Sequence, residues 1–201
     1  MSSDSSVPGP GPDEVRNPWR RVQRSVVYEN PWIRVYHDDV IRPDGDPGIY
    51  GVVHYRNLAV GVVVIDRDDR VLLVGQYRYP LDRYSWEIPS GGCPEGEEPV
   101  ATAHRELQEE TGYTAKSMRL ILRAHLSNAV GDEDAYCYLA EEITPGPASP
   151  EGTEELSLAW VEFSNVLDRI AAGEITDSIT IMAMQHIALE RLRSSLNTRK
   201  Q

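Results

Sequence analysis

Acidic side chains are concentrated between residues 91 and 113, where the chain reads GGCPEGEEPVATAHRELQEETGY. On a helix, Glu106 and Glu110 would lie one turn apart, with Glu109 beside both of them. Like charges at this spacing repel each other, so we expect a cation to compensate them. Because every candidate ligand is a hard oxygen, the pattern indicates a site for Mg2+ or Mn2+.

An acidic run is more often the solvated face of a surface helix than a binding site. That interpretation leaves unexplained the glycine-rich start of the segment at residues 91–92 and the arginine directly before Glu106. Glu97 and Arg105 are placed to support the acidic face. The sequence therefore favours a metal site over a solvated helix.

The segment resembles the Nudix box, whose pattern is G-x5-E-x7-R-E-U-x-E-E-x-G-U, with U an apolar residue. Tyr113 stands where an aliphatic residue is usual. The resemblance implies an α+β fold, in which a Nudix-type α/β/α sandwich with a mixed sheet carries the box as a loop, a helix and a loop. Eight positions are in register with the pattern: Gly91, Glu97, Arg105, Glu106, Leu107, Glu109, Glu110 and Gly112.

Two further segments, QYRYP at residues 76–80 and WEIPSGG at residues 86–92, resemble the ADP-ribose pyrophosphatase branch of this family. The resemblance implies hydrolysis of the pyrophosphate bond of a nucleoside diphosphate sugar, with ADP-ribose giving AMP and ribose 5-phosphate. It also implies two or three Mg2+ or Mn2+ ions per site. Protomers of that branch exchange N-terminal strands, so we expect a homodimer with the substrate base bound at its interface.

The same resemblance implies the residues that carry the reaction. The metal ligands are Glu106 and Glu110, with contributions from Glu109, Glu87 and the backbone carbonyl of Ser90. The catalytic residues are Glu154, Glu109 and Arg105. Glu154 is the first candidate for the base, with Glu155, Glu151 and Glu109 as alternatives.

Substrate-binding residues are also implied by position. Arg78 matches the arginine that holds a substrate phosphate or ribose in this branch. Trp32 and Tyr50 match the aromatic positions that enclose adenine, and Arg56 is a further candidate of the same kind. Taken alone, each aromatic residue would more often be a packing residue than a ligand contact.

The loop at residues 126–133 lacks the proline that is common in ADP-ribose pyrophosphatases, so its contact with the terminal sugar should differ. Glu133 or Asp132 is placed to approach the metals or that sugar. Other substrates remain open: GDP-mannose or ADP-glucose, a nucleoside triphosphate, or a dinucleoside polyphosphate. A non-catalytic nucleotide-sensing module is the alternative of another class, although such modules usually have an eroded box.

Composition limits the partners. The chain has 201 residues and a net charge of -12, which argues against nucleic-acid binding through a phosphate-neutralising surface. An anionic small-molecule substrate is compatible with this negative charge, because bound metal ions reverse the local charge.

No apolar stretch is long enough to cross a bilayer, so we expect no membrane partner and a cytoplasmic location. Cys93 and Cys137, the two cysteines, do not form a zinc pattern.

Three segments are expected: a disordered tail at 1–18, a β region for dimerisation and base binding at 19–56, and a Nudix hydrolase domain at 57–197. Pro99 and Gly112 should bound the box helix, with a buried stripe opposite the carboxylates. That stripe comprises Val100, Ala103 and Leu107. Two later helices are expected at 165–172, capped by Ser164, and at 177–196.

Overall fold

The computed structural model describes residues 16–149 and 155–198. These residues form two compact units that meet in sequence between Val53 and His54. The expected disorder of residues 1–15 and the position of Glu154 lie outside the described residues. No helix of the described part is long and apolar enough to cross a membrane.

The N-terminal unit is a three-stranded sheet in the order β1-β2-β3, as the alternating sequence pattern predicts. Its strands are β1 (Arg20–Glu29), β2 (Ile33–Ile41) and β3 (Pro47–Tyr55), and β1 runs antiparallel to β2. Asn30 shapes the turn between β1 and β2, because its side-chain oxygen accepts hydrogen bonds from the amides of Trp32 and Ile33 at 2.9 and 2.8 Å.

An ion pair between Arg24 and the buried Asp38 links the first two strands of this sheet. The Arg24 guanidinium donates two hydrogen bonds to Asp38, at 2.7 and 2.6 Å, and lies 4.2 Å above the Tyr36 ring. These bonds hold the pKa of the Asp38 carboxyl below its usual value, against the effect of burial. The sequence pattern did not reveal this pair.

Within residues 54–149 and 155–198, the C-terminal unit contains two sheets and three α-helices. One sheet has the order β7-β4-β9-β8 and is mixed, because β4 and β9 are parallel, while the other has the order β10-β5-β6. The elements are β4 (Leu58–Val64), β5 (Arg70–Arg78), β6 (Arg83–Glu87), β7 (Ser90–Cys93), α1 (Pro99–Thr111), β8 (Thr114–His125), β9 (Asp134–Thr144), β10 (Ser157–Glu162), α2 (Phe163–Ala171) and α3 (Ser178–Thr198).

Strand β4 lies between two apolar clusters, as its continuous valine run predicts. Val62 and Val64 pack in a cluster with Ala103 and Leu107 of α1. Val63 points the other way, into a cluster supplied by α2 and α3. Helices therefore cover both faces, which confirms the α+β fold and the expected α/β/α sandwich with a mixed sheet.

Helix α1 has the expected boundaries. Pro99 occupies its first turn, and Gly112 ends it with a φ of 75°. A side chain at Gly112 would also lie 2.3 Å from the Gly146 carbonyl oxygen, so glycine is required there for two reasons. The placement of Val100 in the buried stripe is wrong: Val100 is exposed, beside the exposed residues that precede the helix.

One other local expectation needs correction. Helix α2 begins at Phe163, so Ser164 lies inside it, and the cap residue is Glu162, whose side chain makes no hydrogen bond to the helix backbone.

Cys93 and Cys137 are both buried and free of disulfide bonds. Burial and the charge of Asp177 raise the pKa of Cys137 to about 12, which keeps it a neutral thiol near pH 7.

Candidate active site

Two carboxylates of α1 are seated against the backbone of β7. The Ser90 amide donates a 3.0 Å hydrogen bond to Oε2 of Glu110. At the next residue, a Cβ added to Gly91 would lie 2.0 Å from the carboxyl carbon of Glu106. Glycine at this position is therefore what allows the Glu106 carboxylate to approach the strand.

The sequence pattern predicts that the acidic residues lie opposite the core. The structure differs, because two of them are largely buried. Glu110 is only 3% exposed, and the Glu106 side chain is 12% exposed, against 36% for Glu109. At about 100° per residue, Glu110 lies about 60° from buried Leu107 around the helix axis. The helix therefore presents its core residues and two of its carboxylates on adjoining arcs of one buried face.

Arg105 holds three carboxylates of this region. Its guanidinium donates to Glu106 at 2.7 Å, to Glu109 at 3.0 Å and to Glu97 at 3.3 and 3.4 Å. A further bond of 3.1 Å reaches the Gly92 carbonyl on β7. Partial burial acts to lower the pKa of Arg105, but these bonds and the Glu106 charge raise it above its usual value. Arg105 thus offsets the repulsion that the sequence predicts.

Arg78 and Glu87 form a second charge pair at the ends of β5 and β6. The Arg78 Nε donates to both Glu87 oxygens, at 2.9 and 3.2 Å, and its Nη2 also donates to Oε2. The hydrogen bond to buried Glu87 raises the pKa of Arg78, with smaller contributions from the charges of Asp177 and Glu110. Arg78 therefore lies within electrostatic range of Glu110 on α1.

The fit of these residues to a metal is partial in the described conformation. No three Asp, Glu, His or Cys side chains of residues 16–149 and 155–198 are gathered closely enough to hold a metal ion. Glu109 and Glu87 are instead held by arginines. Glu106 and Glu110 still meet at adjacent residues of β7, and carboxylate and carbonyl oxygens are the donors that Mg2+ prefers. The donor set therefore fits a hard divalent cation.

The loop after β8 is anchored by Asp132. Its carboxylate accepts a 3.0 Å bond from the Tyr55 amide and lies 2.7 Å from Nδ1 of His54. These contacts lower the pKa of Asp132, although its partial burial opposes them. Burial, followed by the Asp132 charge, raises the pKa of the neighbouring Glu133. Glu133 is thus a half-buried carboxyl at the end of this loop.

The proposed base-binding residues lie in different settings. Trp32 is exposed, and Tyr50 packs edge-on against Trp19 with ring centroids 5.3 Å apart. Tyr50 lines a cavity of about 310 Å³ in the N-terminal unit, and Trp32 is not among the described residues around it. Arg56 is exposed at the start of the C-terminal unit.

A cavity beside Arg78 and Glu87 was not anticipated. It is lined in addition by Ser85 of β6 and by Thr176, Asp177 and Ser178 at the start of α3. A sequence signal was present, since alternation along β6 places Ser85 and Glu87 on one face. The contact of that face with α3 depends on tertiary structure, so no local sequence pattern predicts it.

Family models agree with this architecture. The NUDIX domain matches residues 55–179, and the nucleoside diphosphate sugar hydrolase N-terminal domain matches residues 19–53. The protein belongs to the Nudix family. It is a Nudix hydrolase of the kind that resembles ADP-ribose pyrophosphatases, which confirms the family and enzyme class inferred from the box.

Individual relatives of this Nudix hydrolase cover most of its length. An ADP-ribose pyrophosphatase of Bacillus subtilis (strain 168) is 32% identical over 85% of this chain and 93% of its own. An ADP-sugar pyrophosphatase of Mus musculus is 34% identical over 74% of this chain and 77% of its own. The fold matches a crystal structure of an ADP compounds hydrolase with a TM-score of 0.78 and 18% identity, covering 88% of this chain and 95% of that one.

The seating of Glu106 can be tested at Gly91. We expect Gly91→Ala to displace the Glu106 carboxylate and to lower kcat/KM by about a hundredfold, since a displacement of about 1 Å has that effect at reacting groups. The matched control is Gly92→Ala, whose Cβ would lie 2.8 Å from Nδ2 at the end of the Asn57 side chain. The kcat/KM of Gly92→Ala should fall by less than about tenfold. Equal activities of the two variants would contradict the assigned role of Gly91.

Proposed function

We propose that this Nudix hydrolase cleaves the pyrophosphate bond of a nucleoside diphosphate sugar, with ADP-ribose giving AMP and ribose 5-phosphate. The supporting observation is the convergence of Glu106 and Glu110 on the β7 backbone within an intact box. Relatives named as ADP-ribose and ADP-sugar pyrophosphatases support the substrate class. GDP-mannose, ADP-glucose, nucleoside triphosphates and dinucleoside polyphosphates are the alternative substrates.

Nudix hydrolases generally use divalent metals, and we assign Mg2+ or Mn2+ to this site, with two or three ions. Such ions compensate charge on the diphosphate oxygens and lower the pKa of bound water. The residues that would hold them are Glu106 and Glu110, with Glu109, Glu87 and the Ser90 carbonyl. Glu109 and Glu87 would first have to exchange their arginine partners for the ions.

The protein residues orient the reactants and move one proton. A water oxygen forms a bond to one phosphorus while the bridging P–O bond breaks, and the second phosphate leaves as a monoester. The water proton passes to a carboxylate, which we assign to Glu154, with Glu109 as the alternative that the structure describes. Arg105 keeps the box carboxylates together, and Arg78 is assigned to a substrate phosphate or ribose.

The remaining substrate contacts are assigned by position in the family. Trp32, Tyr50 and Arg56 are proposed to bind the base. Glu133 is proposed to contact the distal part of the substrate. Residues 19–56 would thus serve base binding and dimerisation, and residues 57–197 would carry catalysis.

The homodimer proposal is supported by the exposure of β1, where Val22, Val26 and Val27 are each more than half exposed. A ten-residue edge strand with such side chains is suited to pairing with a second copy. We expect light scattering to give twice the 22.6 kDa of one chain, and Val27→Glu to lower that mass. Leu192→Glu, at an exposed position of α3, is the control. A monomeric wild-type protein would refute the dimer.

The reaction is tested by incubating the protein with ADP-ribose and Mg2+ and measuring AMP and ribose 5-phosphate. We expect Glu106→Gln to lower kcat by about a hundredfold or more while the protein stays folded, because it removes a charge from the site. Glu98→Gln is the matched control, since Glu98 is exposed and makes no side-chain cap bond.

Three results would count against the proposal. Retained turnover in Glu106→Gln would remove this residue from the mechanism. Failure to hydrolyse any of several nucleotide sugars would refute the substrate class. Tight binding of ADP-ribose in calorimetry without turnover would favour the nucleotide-sensing alternative.

A further inference from the structure

The C-terminal end of α1 leaves the Glu109 carbonyl without a donor from inside the helix. A helix carbonyl normally accepts from the amide four residues further on, which for Glu109 is the amide of Tyr113. The helix ends before that residue, because Gly112 takes a φ of 75°. The Tyr113 amide donates instead to Oγ1 of Thr111 at 3.1 Å. The donor to Glu109 must therefore come from another part of the chain.

That donor is the backbone amide of Ser149, which lies 2.9 Å from the Glu109 carbonyl oxygen. The pairing of β8 with β9 explains why Ser149 lies there. Thr114, which follows the helix closely, pairs with Thr144 at the end of β9, and its hydroxyl donates to the Thr144 carbonyl at 3.4 Å. The chain therefore leaves β9 beside the point at which α1 ends.

The segment that joins β9 to Ser149 lies against the helix end through backbone contacts. A Cβ added to Gly112 would lie 2.3 Å from the Gly146 carbonyl oxygen and 2.7 Å from the Ala148 amide nitrogen. In the opposite direction, a Cβ added to Gly146 would lie 3.0 Å from the Gly112 carbonyl oxygen. The two backbones are therefore closely apposed, and Gly112 leaves the room that this contact needs.

The contact is made by the helical turn that carries two acidic residues of the box. Glu109 lies on this turn, and the side chain of Glu110 accepts a 3.0 Å bond from the Ser90 amide. The last turn of a helix is where fraying begins, because its carbonyls lack donors within the helix. Fraying at this end would carry both carboxylates away from β7, and the bond from Ser149 opposes it.

The bond from Ser149 uses the backbone of Glu109 and leaves its carboxylate to other partners. That carboxylate accepts a 3.0 Å bond from Arg105. Under the proposed function, the carboxylate exchanges this arginine for a metal ion. A backbone bond can hold Glu109 in place during the exchange, whereas the bond to Arg105 is lost in it.

We propose that residues 144–149 clamp the last turn of α1, and that the Ser149 amide is a positioning group for the carboxylates of Glu109 and Glu110. The inference rests on the proposed function, in which these carboxylates hold the metal ions. It adds a group outside the box to those that fix the geometry of the metal site. Because the amide acts through the helix backbone, its role is positioning and not catalysis.

The test compares Ser149→Pro, which removes the amide hydrogen, with Ser149→Ala, which keeps it. Ser149 is exposed and its φ is negative, so its position is compatible with proline. We expect Ser149→Pro to weaken Mn2+ binding, measured by electron paramagnetic resonance, by about fivefold, which corresponds to the loss of one hydrogen bond. Ser149→Ala should bind Mn2+ within about twofold of the wild type.

Two further measurements separate positioning from a general loss of stability. In a protein that also carries Glu109→Gln and Glu110→Gln, Ser149→Pro should weaken Mn2+ binding by less than about twofold, because the clamp acts through these carboxylates. In the otherwise unaltered protein, Ser149→Pro should speed amide hydrogen exchange at Gly112, whose N–H donates to the Gln108 carbonyl.

Gly146→Ala is a milder variant that decides the question if Ser149→Pro does not fold. Its Cβ would press on the Gly112 carbonyl oxygen, and we expect Mn2+ binding to weaken by about twofold or more. Wild-type Mn2+ affinity in folded Ser149→Pro or in Gly146→Ala, or an undiminished effect of Ser149→Pro without the two carboxylates, would overturn the clamp. Weaker Mn2+ binding in Ser149→Pro, with a wild-type protein that hydrolyses no nucleotide sugar, would refute the proposed function alone.

Discussion

The structure depends on the contact between α1 and the backbone of β7. A helix that carries Glu106 and Glu110 close to a strand would normally be pushed away by side chains on that strand and by the cost of burying charge. Gly91 removes the steric obstacle, and the Ser90 amide supplies a donor to Glu110. The contact fixes two carboxylates at adjacent backbone positions, and the proposed chemistry needs that arrangement.

Two arginines make this concentration of acid tolerable. Arg105 binds the carboxylates of the box, while Arg78 neutralises Glu87 between the box and the cavity beside α3. Both arrangements hold acidic side chains in fixed positions through charge-assisted hydrogen bonds, which are stronger than neutral ones. Charge pairing with arginine therefore holds the acidic side chains of this region in place.

Local sequence signals predicted the elements whose ends or burial are set by residues within the element itself. Pro99 and Gly112 gave the ends of α1, and the valine run gave the buried strand β4. The face of Glu110 was wrongly predicted because acidic residues were assumed to avoid the core, and the donor that compensates Glu110 lies 20 residues away at Ser90. The cavity beside Glu87 was not predicted because it depends on the contact between β6 and the start of α3, which only the folded chain provides.

Manganese binding measured by electron paramagnetic resonance tests the central claim most directly, because it reports the carboxylate pair without requiring turnover. The account predicts that Glu106→Gln and Glu110→Gln each weaken Mn2+ binding by about tenfold or more, equivalent to about 1.4 kcal/mol. Glu98→Gln should bind Mn2+ like the wild type. Unchanged Mn2+ affinity in both of the first two variants, with the fold intact, would contradict the claim that these carboxylates form the site.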